Sequence, residues 1–150
     1  MKTLLFVLVL ASCVTVAAQP NPAPAASSAA TFIDAEKVAA AFAKGGPIIT
    51  PEGTNYRVLA GRRDSAPGQA EVHAVDADVM YVLEGTATFI TGGKVTDAKN
   101  TAADEVRGSG VTGGETHQLK KGDVVIVPKN VPHWFKEVSP PFLYFVVKVR

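Results

Sequence analysis

The chain of 150 residues has one cysteine, three histidines and almost no net charge. The cysteine, Cys13, lies close to the N-terminus, so the rest of the chain has no disulfide to stabilise it. A domain of about 130 residues can bury enough apolar surface to fold without one. Without Lys2, the chain has 14 Lys and Arg residues and 14 Asp and Glu residues, so its formal charge is zero. This balance gives no electrostatic reason to expect nucleic acid or an anionic membrane as a partner.

Residues 1–18 have the pattern of a secretory signal peptide. Lys2 gives a basic start, Leu4–Leu10 is an apolar core too short to span a bilayer, and Val16–Ala18 offers small residues for cleavage before Gln19. The pattern predicts export to the periplasm or to the outside of a bacterial cell. Leu10–Cys13 also has the form of a lipoprotein box, and a lipid on Cys13 is the alternative that would anchor the protein to a membrane.

The composition of residues 19–30 predicts a Pro/Ala/Ser linker, and residues 31–150 are predicted to form a single domain. Asp34 is a candidate N-cap for one short helix, which Gly45 and Gly46 would end. Eight short runs separated by Gly, Pro and Asp turns then predict an all-β barrel rather than an α/β sheet. These runs are Tyr56–Leu59, Ala70–His73, Val79–Leu83, Thr86–Thr91, Thr116–Leu119, Asp123–Val127, His133–Lys136 and Leu143–Val149.

Two segments of this barrel contain side chains that bind metals. In each segment polar and apolar residues alternate at the strand period, so that side chains two residues apart project from the same face. Two imidazoles and two carboxylates directed to a common point would suit a divalent cation. The four candidate metal ligands are Glu71, His73, Asp78 and His133.

The same two segments resemble the paired motifs of the cupin family, and the resemblance covers Tyr56 to Val149. In the first motif His73 matches the second histidine of the family pattern. Glu71 stands at the position of the first histidine, and Asp78 stands where the family has glutamate.

In the second motif Gly122, Pro128 and His133 match the family pattern, and Asn130 replaces a glycine. The resemblance implies a double-stranded β-helix, or jelly-roll, barrel whose four motif residues bind Mn, Fe, Ni or Zn. It also implies dimers that form through sheet edges.

Three further features are candidates for function. His117 shares strand parity with Leu119, so it is predicted to point inward as a catalytic group that moves protons. The polar segment over residues 94–112 is either a lid whose Arg107 faces a ligand or a flexible surface hairpin. Arg62–Arg63 would bind an anionic substrate or, alternatively, form a solvated charge pair.

The ligand set bears on the chemistry. Two carboxylates would neutralise a divalent ion, which weakens it as a Lewis acid and favours the higher oxidation states of iron and manganese. The main hypothesis is an exported, metal-binding cupin that acts on a small molecule. Its ligand set favours oxygen or redox chemistry over hydrolysis. The alternatives are a metal-free barrel that binds a sugar or metabolite without catalysis, and an accessory barrel with no ligand.

Overall fold

The structure, a computed structural model, describes residues 29–150, which form one α-helix and thirteen β-strands. The predicted signal peptide and residues 19–28 of the predicted linker lie outside the described residues. The helix α1 spans Ala35–Lys44. The strands are β1 (Gly46–Ile49), β2 (Tyr56–Arg63), β3 (Ala70–His73), β4 (Ala77–Glu84), β5 (Thr86–Thr91), β6 (Lys94–Thr96), β7 (Lys99–Ala102), β8 (Glu105–Gly108), β9 (Gly110–Thr112), β10 (Glu115–Lys120), β11 (Val124–Val127), β12 (His133–Val138) and β13 (Phe142–Val149).

The strands form two large antiparallel sheets and one small one. The five-stranded sheet has the order β1-β2-β13-β4-β11, and the six-stranded sheet has the order β10-β5-β12-β3-β8-β7. A separate pair joins β6 to β9. The prediction of an all-β jelly-roll barrel with a short N-terminal helix is confirmed.

The core lies between the two large sheets, where alternate residues of each strand point inward. Phe89 and Phe142 are fully buried, and the ring of Phe135 lies 4.5 Å from that of Phe89 and 5.4 Å from that of Phe142. Aliphatic residues complete the cluster. Each such side chain stabilises the fold by about 1.5–3 kcal/mol through removal of apolar surface from water. The cluster fixes the distance between the sheets, and it therefore positions the inward polar residues beside it.

The helix α1 packs against β1 and β2. Asp34 caps its N-terminus, because the side-chain Oδ1 accepts a hydrogen bond from the backbone N–H of Lys37 at 2.8 Å. Gly45 ends it with φ 72°, a left-handed conformation that glycine adopts without strain, and donates its N–H to the carbonyl of Ala41. No helix within residues 29–150 is long and apolar enough to cross a membrane.

Five of the strands, β1 and β6 to β9, are absent from the sequence-based prediction of eight. Four of them lie in the segment over residues 94–112, where β8 pairs with β3 and extends the six-stranded sheet. Each of these four strands has only three or four residues. The segment is polar and has few large apolar residues, and β7 is exposed at every position, so no alternation of apolar and polar residues marks these strands in the sequence.

The outer face of the five-stranded sheet has an apolar outer patch, formed by Val79 and Tyr81 of β4 and Val124 and Ile126 of β11. Val124 lies opposite Tyr81, and Ile126 lies opposite Val79. Val124 and Ile126 are 61% and 66% exposed. The solvent side of an antiparallel sheet is usually polar, so this patch is an unusual surface for a barrel of this kind.

Candidate metal centre

Three strands bring the four predicted metal ligands into one cavity of about 200 Å³. Glu71 and His73 lie on β3 and point to the same side, since they are two residues apart. Asp78 lies near the start of β4, and His133 is the first residue of β12. The pairing of β3 with β12 places His133 directly opposite Glu71.

The ligand-type atoms of these four residues surround a common point. His73 Nε2 lies 3.5 Å from Glu71 Oε2 and 3.6 Å from Asp78 Oδ2. His133 Nε2 lies 3.9 Å from the same glutamate oxygen and 3.8 Å from the same aspartate oxygen. Ligands about 2.1 Å from one ion lie about 3.4 Å apart in a tetrahedral site, so only small adjustments separate this arrangement from coordination. Glu71, His73 and His133 form a group that could hold a metal ion.

His133 has a nitrogen lone pair available to such an ion. His133 Nδ1 lies 3.2 Å from the carbonyl oxygen of Val131. A carbonyl only accepts, so Nδ1 carries the proton and donates it, which leaves the lone pair on Nε2. Burial lowers the pKa of His133, so the ring is neutral at pH 7.

His73 Nε2 is buried and has no hydrogen-bond partner among residues 29–150. An unpartnered buried polar atom costs about 1–3 kcal/mol, which a bound cation would offset. The residues present therefore fit a divalent metal ion.

Glu71 is ionised, and its two oxygens have different partners. Oε1 accepts a hydrogen bond from Arg107 Nη1 at 2.9 Å and lies 3.8 Å from Arg63 Nη2. Oε2 faces the two histidines. Burial alone would raise the pKa of Glu71, but His73, Arg107, His133 and Arg63 together lower it to about 2. One oxygen is thus available to a metal while the other is held by arginine.

Asp78 has a cationic partner of its own. Lys148 Nζ donates to both carboxylate oxygens, at 2.6 and 2.8 Å, from the position on β13 directly opposite. Lys148 therefore competes with any metal ion for Asp78. Sequence reasoning missed this residue, although it is the only charged residue of the apolar strand β13 and shares parity with the buried Val146. A lysine at an inward position predicts a buried carboxylate partner.

Arg107 comes from the segment over residues 94–112. Besides Glu71 it contacts Glu105, and both residues line the cavity. The segment forms part of the six-stranded sheet through β8, and it closes one side of the cavity with a charged side chain.

His117, the predicted catalytic group, is not brought into this cavity. It lines a different groove of about 630 Å³ beside β10 and β11. There its Nε2 lies 2.9 Å from Thr91 Oγ1, and its Nδ1 lies 3.9 Å from a carboxylate oxygen of Glu115. The parity that His117 shares with Leu119 predicts the face of the strand on which it lies. It does not predict where that strand lies around the barrel.

Residues 62–150 match the family model of the cupins. The chain belongs to the cupin family. The resemblance seen in the two sequence motifs is therefore confirmed, and a search of curated proteins finds no match to this cupin.

Several solved structures are similar to this cupin at low sequence identity. The protein BH2720 of Bacillus halodurans is 9% identical with a TM-score of 0.54, over 81% of this chain and 83% of that chain. The nucleoside dehydratase Pac13 of Streptomyces is 13% identical with a TM-score of 0.43, over 63% of this chain and 59% of that one. The polyketide cyclase RemF of Streptomyces resistomycificus is 14% identical with a TM-score of 0.46, over 69% and 61%. This cupin thus spans less than two thirds of the length of either Streptomyces protein.

Glu71 makes the stability of the metal-free protein sensitive to acid. Its folded pKa of about 2 lies below the ordinary 4.5, so its contribution is complete above pH 4.5 and is lost as the pH falls towards 2. The full shift would be worth about 3 kcal/mol, and partial exposure of the side chain reduces this to about 2 kcal/mol. Urea unfolding in chelator between pH 6 and 2.5 should therefore show a shallower acid limb for Glu71→Gln than for the wild type. Glu137→Gln, on the exposed face of β12, is the control, and equal slopes for all three proteins would contradict the prediction.

Proposed function

We propose that this cupin binds one divalent metal ion through Glu71, His73 and His133 and acts on a small molecule in the same cavity. The observation that carries the proposal is the buried, unpartnered Nε2 of His73, which lies next to the lone pair of His133 Nε2. Mn, Fe, Ni and Zn all accept imidazole and carboxylate ligands. Two histidines and one carboxylate form the ligand set of non-haem iron oxygenases and also of zinc hydrolases, so the set fits oxygen or redox chemistry with iron and hydrolysis with zinc.

A bound ion would polarise an oxygen atom of the substrate and, with iron or manganese, would supply electrons. The residues of the chain itself prepare the cavity. Arg107 and Lys148 fix the two carboxylates, and the apolar residues Met80 and Phe135 limit the access of water. Burial raises the pKa of Tyr144, so its hydroxyl keeps a proton that it can donate to a ligand.

Metal titration of the purified, chelator-treated protein tests this proposal. We expect the wild type to take up one ion per chain and His73→Ala to bind at least a hundredfold more weakly, because a lost ligand removes a large part of the affinity of such a site. His117→Ala is the matched control, since it removes the one histidine that lies outside the cavity. A wild type without uptake, or an equal loss in His117→Ala, would refute the metal site. The prediction of His117 as a proton carrier is then tested separately, by the activity of the same variant.

A metal-free barrel that binds a sugar or metabolite is the second candidate. The observation in its favour is the charge balance of the cavity, where three carboxylates face three basic groups. The carboxylates are Glu71, Asp78 and Glu105, and the basic groups are Arg63, Arg107 and Lys148. No further cation is needed to neutralise these charges. Absence of metal uptake in the titration would make this candidate the leading one.

Export is the second part of the proposal. The basic Lys2, the apolar Leu4–Leu10 and the small residues before Gln19 support cleavage of a signal peptide and a mature protein that begins near Gln19. Mass spectrometry of the protein from a bacterial periplasm would show this start. Retained Met1 would contradict it, whereas a diacylglycerol mass on Cys13 would establish the lipoprotein alternative.

We also propose a homodimer that forms through the apolar outer patch. The patch contains no charge and includes the edge strand β11, so a second copy offers the same apolar surface about a twofold axis. Sedimentation analysis should show a dimer for the wild type and a monomer for Ile126→Glu. Thr116→Glu, on the edge strand of the other sheet, should remain dimeric. A wild type that is monomeric at high concentration would exclude this interface.

A further inference from the structure

The two adjacent arginines of β2 point to opposite sides of the sheet. Arg62 is on the outer side, where its Nε and Nη2 each donate to Asp64 at 2.8 Å. Arg63 lines the cavity beside Glu71. Arg62 therefore forms a solvated charge pair, which was one of the two interpretations of this dipeptide. Arg63 has a different environment and needs a separate explanation.

The guanidinium of Arg63 is held in a fixed position. Its central carbon lies 4.3 Å from the centroid of the Phe135 ring, a cation–π contact. It also packs against Gly68, where an added Cβ would lie only 2.5 Å from Nη1. The Nε atom is buried without a hydrogen-bond partner among residues 29–150. Its contact with Glu71, at 3.8 Å, is longer than a hydrogen bond. Arg63 is thus a positioned cation whose Nη2 lies beside Glu71 without a hydrogen bond to it.

Arg107 approaches the same place from the opposite sheet. Its Nη1 donates to Glu71 Oε1, the same oxygen that lies next to Arg63 Nη2. A guanidinium has five N–H donors, and the hydrogen bonds to Glu71 and Glu105 use two of them. Two guanidinium groups therefore converge on one small region of the cavity with donors left over. Convergent guanidinium groups of this kind recognise carboxylates.

The charge and the size of the cavity restrict the ligand further. The lining is balanced by its three carboxylates and three basic groups, so a divalent ion adds two positive charges. A neutral ligand would leave this excess uncompensated in a partly enclosed site, whereas an anion would neutralise it. The cavity of about 200 Å³ has the volume of about seven water molecules in the liquid, which limits the ligand to about seven or eight heavy atoms.

We infer that the small molecule taken by this cavity is an organic carboxylate of two to four carbon atoms, held by Arg63 and Arg107. The inference rests on the proposed function, since the excess positive charge comes from the bound metal. Arg63 fixes the position of the carboxylate, because its own guanidinium is held by contacts with Phe135 and Gly68. Arg107 adds a second charge-assisted hydrogen bond from the segment that closes the cavity.

Calorimetric titration of the Zn²⁺-loaded protein tests the inference, since zinc is redox-inert and binding is measured without turnover. The probes are acetate, pyruvate, malonate and succinate, each compared with its neutral amide. We expect at least one acid to bind tenfold or more tightly than its amide. If no acid binds more tightly than its amide, the inference is overturned.

Arg63→Gln and Arg107→Gln should each weaken the binding of that acid about tenfold or more, since each removes a charge-assisted hydrogen bond. Their affinity for the amide should change little. Arg62→Gln is the matched control, because it removes an adjacent arginine that points away from the cavity. An unchanged acid affinity in both cavity variants would overturn the inference.

The Zn²⁺ affinity of all four proteins is measured in parallel. A wild type that fails to bind zinc refutes the proposed metal site, whereas normal zinc binding without acid selectivity refutes only the carboxylate ligand.

Discussion

Removal of metal from the loaded protein is expected to lower its melting temperature by about 10 °C. An ion that binds only the folded state stabilises it by about 2.7 kcal/mol when its concentration is a hundred times the dissociation constant. For a domain of this size that free energy corresponds to a shift of about 10 °C. Without the ion, His73 Nε2 is again unpartnered, and Glu71 and Asp78 are left to their basic partners. Calorimetric melting curves with and without chelator measure the difference.

The variant His133→Ala makes this prediction specific to the site. It removes one of the two imidazoles, so it should melt at a lower temperature than the loaded wild type and should respond little to chelator. His117→Ala again serves as the control and should keep the full chelator response. If the wild type and His133→Ala melt at the same temperature, and chelator changes the melting temperature of neither, the barrel has no metal that contributes to its stability.

Replacement of Lys148 by methionine is expected to destabilise the metal-free protein by about 3–5 kcal/mol. The change leaves the buried carboxylate of Asp78 without its ammonium partner, and an uncompensated buried charge has a cost of this order. Side-chain volume is nearly conserved, so loss of packing contributes little. Urea unfolding in the presence of chelator measures the free energy.

The same substitution should have the opposite effect on metal affinity. With Lys148 removed, Asp78 Oδ2 is available as a fourth ligand beside His73 and His133, so the ion should bind more tightly and restore part of the lost stability. Lys120→Met is the control, because Lys120 is exposed and pairs with Asp123 at the surface, and it should change neither quantity. A loss of less than about 1 kcal/mol in Lys148→Met would show that Asp78 does not depend on the lysine.

Strand parity and the two motifs identified four candidate ligands, and the structure places their side chains around one cavity. That they bind a metal stays a prediction. Glu71 and His73 are two residues apart on one short strand, so their common direction follows from the sequence alone. Strand parity could not predict which basic residues pair with the two carboxylates. Lys148 lies 70 positions from Asp78, and Arg107 lies 36 positions from Glu71, so both contacts depend on which strands become neighbours.

The same limit explains His117 and the segment over residues 94–112. His117 has the parity of the buried Leu119, but β10 is an edge strand, and its inward face borders a groove away from the metal candidates. Among the strands β6 to β9, β8 pairs with β3 of the barrel, β7 pairs with β8, and β6 pairs with β9. Tertiary pairing of this kind overrides weak local preferences.

Arg107 and the four candidate metal ligands lie in different parts of the fold. The candidate ligands lie on β3, β4 and β12, which belong to the framework of the barrel, whereas Arg107 lies on β8 within residues 94–112. Substitutions in that segment can change the charge that a ligand meets while the two imidazoles stay in place. If Arg107 binds the carboxylate as proposed, changes within residues 94–112 would alter the choice of small-molecule ligand while the geometry of the metal site stays the same.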